Sequence, residues 1–414
     1  MHPDADFQKA NLNIDEIIRE KKITVHFQPI ISVINKKICG LEGLIRGVDT
    51  VLDRIIAPLV LFDAARYKGL TLELDRACRE RTIETFRDIY RDNKDLLLFL
   101  NIDASIIEKA VGSNHLINLV KAHGINPQNI VIEVNESRIQ DTEALKKFIA
   151  IYRKSGFLIA LDDVGSGFSN LDRIPLAKPD IIKIDIALIR DIDSNYYKQE
   201  VFKSLASLSN KIGALVVAEG VETEAEAIQI MELGGQMIQG YYFAKPQKYS
   251  AEWPAFLSKR IETLARRFRD YTGSVIKKDL QRYHQLETII DQTIAQLKTV
   301  SYWDFNAHLT EALQRHSPIE CGYTLDESGT QSSHTVCSYN RREGETSLLF
   351  HPAKMGTDHS MKTYYYRLVN AIDGKYLTEP YISQATGNRC VTFAKSFINV
   401  DNQKHILCMD FNLD

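Results

Sequence analysis

The chain has 414 residues, more than one typical domain needs, with 51 Lys and Arg against 54 Asp and Glu for a formal charge of −3. So even a balance sets up no strong field for a polyanion and argues against nucleic-acid polymers as partners. Apolar residues make up 44% of the sequence, enough for a sizeable core, and no run approaches the roughly 20 apolar residues of a membrane span.

The amino terminus, MHPDADFQKANLNIDE, is polar and acidic and lacks the basic start and apolar stretch of a secretion signal, so a cytoplasmic location is expected. From about residue 20 to 250, short apolar runs each end on a polar residue. Glu42 follows KKICGL, Asn101 follows LLLFL and Glu133 follows NIVI. Asp162 and Asp163 follow FLIAL, Lys183 follows DII and Glu219 follows ALVVA. Runs this rich in Leu, Ile and Val read as buried parallel strands. Between them, LVLFDAARYKG, DTEALKKFIAIYRKSG and YYKQEVFKSLASLSNKIG carry apolar residues at helical spacing, and the last two end in a Gly suited to a helix C-cap. Alternation of this kind predicts an α/β fold, a parallel sheet with helices outside, closed as a TIM-like (β/α)8 barrel over residues 1–250.

Residues 251–300 contain a long stretch, FLSKRIETLARRFRDYTGSVIKKDLQRYHQLETIIDQTIAQLKTV, that has no Pro and only Gly273. It reads as one or two amphipathic helices, a packed connector or a dimerising element. Over 301–414 the pieces TSLLFHP, RCVTFAKSFINV and HILCMDFNL alternate with the polar turns DESGT, RREGE, NAIDGK and NVDNQK, which predicts a small antiparallel α+β domain. Cys39, Cys78, Cys321, Cys337, Cys390 and Cys408 form no CxxC pair and read as free, mostly buried thiols rather than a zinc site.

A charge at the end of a buried strand is costly unless it is paired or holds a metal. Any one of these residues alone could be a helix cap or a turn residue. Six strand ends with oxygen ligands or a lysine instead suggest one site at the carboxyl face of the barrel. Glu42, Asn101, Glu133, Asp162 and Asp163 are hard ligands of the type that Mg²⁺ and Mn²⁺ take, and the adjacent aspartates can serve two cations. Two cations suit an in-line phosphoryl displacement. Lys183 would orient the nucleophilic water, Glu219 would bind the second cation or accept a proton, and Arg46 suits a bidentate phosphate contact.

These segments resemble, in order, the EAL-domain family of cyclic di-GMP phosphodiesterases. The resemblance is carried by QPI at 28–30, EGLIR at 42–46, LNIDAS around Asn101, IEVNES, LDDVGSGFSNL, KIDIALI, AEGVET and QGYYFAKP. It implies hydrolysis of cyclic di-GMP to linear pGpG with Mg²⁺ or Mn²⁺, two per site, by a dimer. It also implies metal binding by Glu42, Asn101, Glu133, Asp162, Asp163 and Glu219, and water activation by Lys183 and Glu219. Gln28, Arg46, Asp185 and Gln239 are similar to substrate-positioning residues, and Glu136 and Glu222 to residues that support loops. The chain departs from the family pattern at Gly43, in place of Ala, at Gly47, in place of a bulky residue, and at Val164 and Ser166, in place of Phe and Thr. The alternative on the same fold is a non-catalytic cyclic di-GMP receptor. The segment from YYYRLVNAIDGKYL to the end resembles part of a PAS/Cache-type sensor module. That resemblance implies a small-molecule effector held by Tyr366, Arg367, Tyr381 and Asp410.

Overall fold

A computed structural model of the chain describes residues 12–49, 54–103, 106–107, 113–135, 141–167, 171–338 and 350–413. The turn RREGE and the start of TSLLFHP lie outside the described residues. The chain divides into two compact units, Met1–Thr272 and Gly273–Asp414. No helix among the described residues is long and apolar enough to cross a membrane.

In the first unit, eight strands close into a barrel. They are β1 (Ile23–Ser32), β2 (Lys37–Asp49), β4 (Leu97–Ile102), β5 (Ile130–Asn135), β6 (Leu158–Val164), β7 (Ile181–Ile184), β8 (Leu215–Ala218) and β9 (Met237–Gln239). A short strand, β3 (Arg54–Ile56), lies on the outer edge of β2. Neighbours from β2 through β9 run parallel, but β1 is antiparallel to both β2 and β9. The expected all-parallel barrel is corrected at this one strand. Only residues 33–36 separate β1 from β2, and a link that short can only return the chain antiparallel.

Helices follow the strands with local signals that hold them in place. The helix Thr142–Lys154 starts at Asp141, whose side chain accepts the N–H groups of Glu143 and Ala144. The helix Tyr196–Ile212 ends at Gly213, with φ +79°. The inside of the barrel is a layer of Ile30, Phe99, Val131, Ala160, Ile181, Val217 and Met237. Residues two apart on a strand face the same side. The next inward layer towards the carboxyl ends is therefore Asn101, Glu133, Asp162, Lys183, Glu219 and Gln239. On the reversed β1 it is Gln28.

The long helix Trp253–Leu297 crosses the division between the units. Trp253, Leu257, Ile261 and Leu264 belong to the outer core of the first unit. The second unit is an antiparallel sheet of β10 (Ile319–Asp326), β11 (Val336–Cys337), β12 (Lys375–Leu377), β13 (Tyr381–Ile382), β14 (Arg389–Ile398) and β15 (Lys404–Asn412). One face packs Phe393, Leu407, Met409 and Phe411 against Ile290, Ile294 and Leu297 of the long helix and against Leu309 and Leu313. The other face joins Tyr323, Leu325 and Cys408 to Tyr364 and Leu368. The expectation of free thiols is corrected for two cysteines. Cys321 and Cys337 face each other across β10 and β11 and are bonded, a pairing that their 16-residue separation conceals. Cys39, Cys78, Cys390 and Cys408 are free.

Candidate active site

The second inward layer converges on Lys183, whose side chain is 1% exposed. Its ammonium lies 2.5 Å from Glu133 Oε1, 2.6 Å from Glu219 Oε1, 3.0 Å from Asp162 Oδ1 and 3.7 Å from Glu42 Oε2. Asn101 Nδ2 donates to Glu42 Oε1 at 2.8 Å. Gln239 Nε2 donates to Glu42 Oε2 at 2.5 Å and to Gln28 Oε1 at 3.1 Å, and Gln28 Nε2 donates to the carbonyl of Ala244 at 3.1 Å. Gln239 of the last barrel strand thus ties Glu42 of β2 to Gln28 of the first strand, so hydrogen bonds at the closing seam of the barrel also hold the cluster.

Asp162 and Asp163 reach the site through a bulge. Leu161 pairs with Ile182 and Val164 with Ile184, so two aspartates oppose the single residue Lys183. Asp163 has φ +56°, a left-handed conformation that an Asp tolerates better than most residues. Asp162, Asp163 and Glu219 each offer an oxygen within 4.8 Å of the others. Asn135 Nδ2 donates to Asp163 Oδ2.

Four carboxyls therefore contact one lysine, and burial and crowding shift the proton affinities of Glu42, Glu133 and Glu219. Burial alone would raise Glu42, but Lys183 and the donors Gln239 and Asn101 carry it below the usual value. Burial, with the Glu42 charge added, holds Glu133 well above the ordinary range despite Lys183. Burial pushes Glu219 up to about 8, opposed by Lys183 and assisted by Asp162. Burial would depress the Lys183 ammonium, yet Asp162, Glu133, Glu219 and Glu42 keep it well above normal. Glu133 Oε2 is buried without a hydrogen-bond partner. An orphaned oxygen beside surplus carboxyls is the donor set that a hard divalent cation fits.

Arg46 and Asp185 hydrogen-bond to nearby backbone groups. Arg46 is on the same face of β2 as Glu42, further along the strand, with Nη1 donating to the Ile45 carbonyl at 2.8 Å. Asp185 caps the short helix Ile186–Ile189, accepting the Ala187 N–H at 2.8 Å. Glu136 lies outside the described residues. Glu222 is exposed. The carboxylate that ties down its loop is the buried Glu226, which accepts N–H groups from Asp191, Glu222 and Thr223. Thr223 and Glu226 form a capping box, so the Thr-x-x-Glu spacing was a readable signal. Asn135 and Thr82, which fills the space beside Gly43, carried no such signal.

In the second unit, Tyr381 and Asp410 come together while Tyr366 and Arg367 do not. Asp410 is buried and accepts from Thr392 at 2.7 Å, Ser383 at 3.3 Å and Tyr381 at 3.4 Å. Burial, with the Glu320 charge, pushes its carboxyl up to about 6 against those donors. Tyr366 and Arg367 are on the exposed side of the helix Thr363–Val369, whose buried residues are Tyr364 and Leu368.

The uncharacterized EAL-domain containing protein YkuI of Bacillus subtilis (strain 168) is 27% identical over 395 residues, 92% of each chain. The crystal structure of YkuI in complex with substrate c-di-GMP and calcium superposes with a TM-score of 0.82 at 25% identity, covering 97% of this chain and 100% of that one. The probable cyclic di-GMP phosphodiesterase PdeB of Escherichia coli (strain K12) is 27% identical over 248 residues, 59% of this chain and 47% of its own. This chain thus spans about half the length of that relative. The EAL domain family matches residues 10–246, more than half of the chain, and the protein belongs to that family.

Proposed function

We propose that the barrel hydrolyses cyclic di-GMP to linear pGpG with two divalent cations, Mg²⁺ or Mn²⁺. The observation that carries the reading is the intact cluster: Glu42, Glu133, Asp162 and Glu219 surround Lys183, Asn101 donates to Glu42, and Asp163 lies beside Asp162 and Glu219. The YkuI complex with c-di-GMP and calcium and the name of PdeB support the choice of substrate.

Those six residues would hold the cations, which supply acidity to water and offset charge on the phosphoryl oxygens. Lys183 donates to the incoming water and to the developing charge on phosphate. The Glu219 carboxylate takes the water's proton. Water adds to phosphorus as the bond to the 3′ oxygen breaks, and that oxygen takes up a proton from solvent to become the 3′ hydroxyl of pGpG. Gln28, Arg46, Asp185 and Gln239 position the dinucleotide, Arg46 by its planar fork on a phosphate.

The proposal extends to the rest of the chain. Residues 1–250 are the catalytic barrel, 251–300 the connector and 301–414 a PAS/Cache-like regulatory domain that takes a small-molecule effector at Tyr381 and Asp410. Dimerisation is supported by Tyr197, Val201, Leu208 and Ile212, which form an exposed apolar row on one face of their helix. A cytoplasmic location belongs to the same reading. Turnover of cyclic di-GMP by the full chain in Mn²⁺ and Mg²⁺, beside Glu42→Ala, tests the activity. Turnover lost in the variant is expected. Tight binding with no turnover by the wild type would make the chain a receptor instead.

A further inference from the structure

Consecutive strand residues point to opposite faces, so Asp162 and Asp163 cannot both serve one site from regular backbone. The bulge opposite Lys183 and the left-handed φ of Asp163 bring them together. Among the described residues, a side chain in contact with the second residue of the bulge is Asn135. Asn135 is the last residue of β5 and stands in register with Asp162. Its Nδ2 donates to Asp163 Oδ2.

We infer that Asn135 is a positioning residue that fixes the Asp163 carboxylate for one of the two cations. This rests on the two-cation reading above. The chemistry of the amide suits the role. Facing a carboxylate oxygen, it must present its NH₂ rather than its carbonyl, so its own orientation is determined. One donated hydrogen uses only one of about four acceptor positions on a carboxylate. A neutral donor also aims the carboxylate without cancelling its charge, which Lys or Arg at the same place would do. Outer partners of this kind commonly change metal affinity by about 10- to 100-fold.

The test is Mn²⁺ binding to the full chain without substrate, with free Mn²⁺ counted by electron paramagnetic resonance. The wild type should bind two ions. Asn135→Leu, similar in volume but with no donor, should bind one ion as before and the other about 10- to 100-fold more weakly. Its cation-free melting temperature should stay unchanged. Asn135→Thr, which keeps a shorter donor, should lie between the two and secures the comparison if the leucine variant does not fold. Unaltered binding in Asn135→Leu overturns the inference, as does equal weakening of both sites, or a lowered melting temperature with binding intact. A wild type that binds no Mn²⁺ overturns the two-cation reading itself, and the inference with it.

Discussion

The methyl group of Thr82 occupies the space that a side-chain carbon on Gly43 would need. Thr82 is buried, with its hydroxyl donating to the Cys78 carbonyl at 2.8 Å. The glycine next to Glu42 is thus matched by a bulkier neighbour on the helix Thr71–Asp92. Leu61 and Ile56 likewise close the space beside Gly47. Gly43→Ala should overpack this contact, lower stability by about 1–3 kcal/mol and reduce turnover by displacing Glu42. Thr82→Ser removes the methyl and keeps the hydroxyl. In that background Gly43→Ala should cost less, giving a coupling of about 1 kcal/mol in a double-mutant cycle by urea unfolding. Additive losses would show that the two residues do not share the space.

Glu226 and Glu222 make a second paired comparison. Glu226→Ala strands three backbone N–H groups, those of Glu222 and Thr223 in the loop after β8, the strand that leads into Glu219, and that of Asp191 after the helix Ile186–Ile189. We expect a loss of about 1–3 kcal/mol and a fall in kcat. Glu222→Ala, at an exposed position, should stay within about 0.5 kcal/mol of wild type. If Glu222→Ala proves the more damaging by thermal unfolding and kinetics, the loop is held by a different residue.

Cation binding should depend on pH in a definite direction. In the cation-free site Glu219 sits at about 8 and Glu133 is well above its usual value. Glu219 therefore carries a proton at neutral pH, Glu133 is shifted in the same direction, and a divalent cation must displace a proton to bind. Mn²⁺ affinity should rise from about pH 6.5 to about pH 8.5, with proton release visible by titration calorimetry in buffers of different ionisation enthalpy. Glu219→Gln should release fewer protons. A pH-independent affinity would mean that the carboxyls are already ionised around Lys183.

The cluster around Lys183 was largely legible because its polar residues follow apolar runs by the two-residue period of a strand. Phe99 precedes Asn101, Val131 precedes Glu133 and Val217 precedes Glu219 in the same inward file. The bulge at Asp162–Asp163 was not legible, since the residue pair looks the same with or without it. Nor was the role of Glu226, which was written in its spacing from Thr223 but overshadowed by Glu222. In the second unit, Tyr364, Tyr365 and Tyr366 are three like residues on one helical turn, and only packing decides that Tyr364 is the buried one. The pairing of Cys321 with Cys337 depends on a strand register that no local motif announces.

Asp410 offers a stability test within the second unit. Its carboxyl is buried and pushed up to about 6 from an ordinary value of 3.8. The folded state therefore holds this proton more tightly than the unfolded chain. The resulting stability is fully present below about pH 4 and is lost as pH rises through about 6. A shift of that size corresponds to about 3 kcal/mol. Asp410→Asn keeps the shape and cannot ionise, and the hydroxyls of Thr392, Ser383 and Tyr381 can turn to meet its amide. The stability of the variant relative to wild type should climb by about 3 kcal/mol between about pH 4 and pH 7, then level off. Urea unfolding across that range, followed by a signal from the second unit, measures the difference. A constant difference would mean that Asp410 titrates alike in the folded and unfolded chains, and the buried carboxyl would then owe nothing to its surroundings.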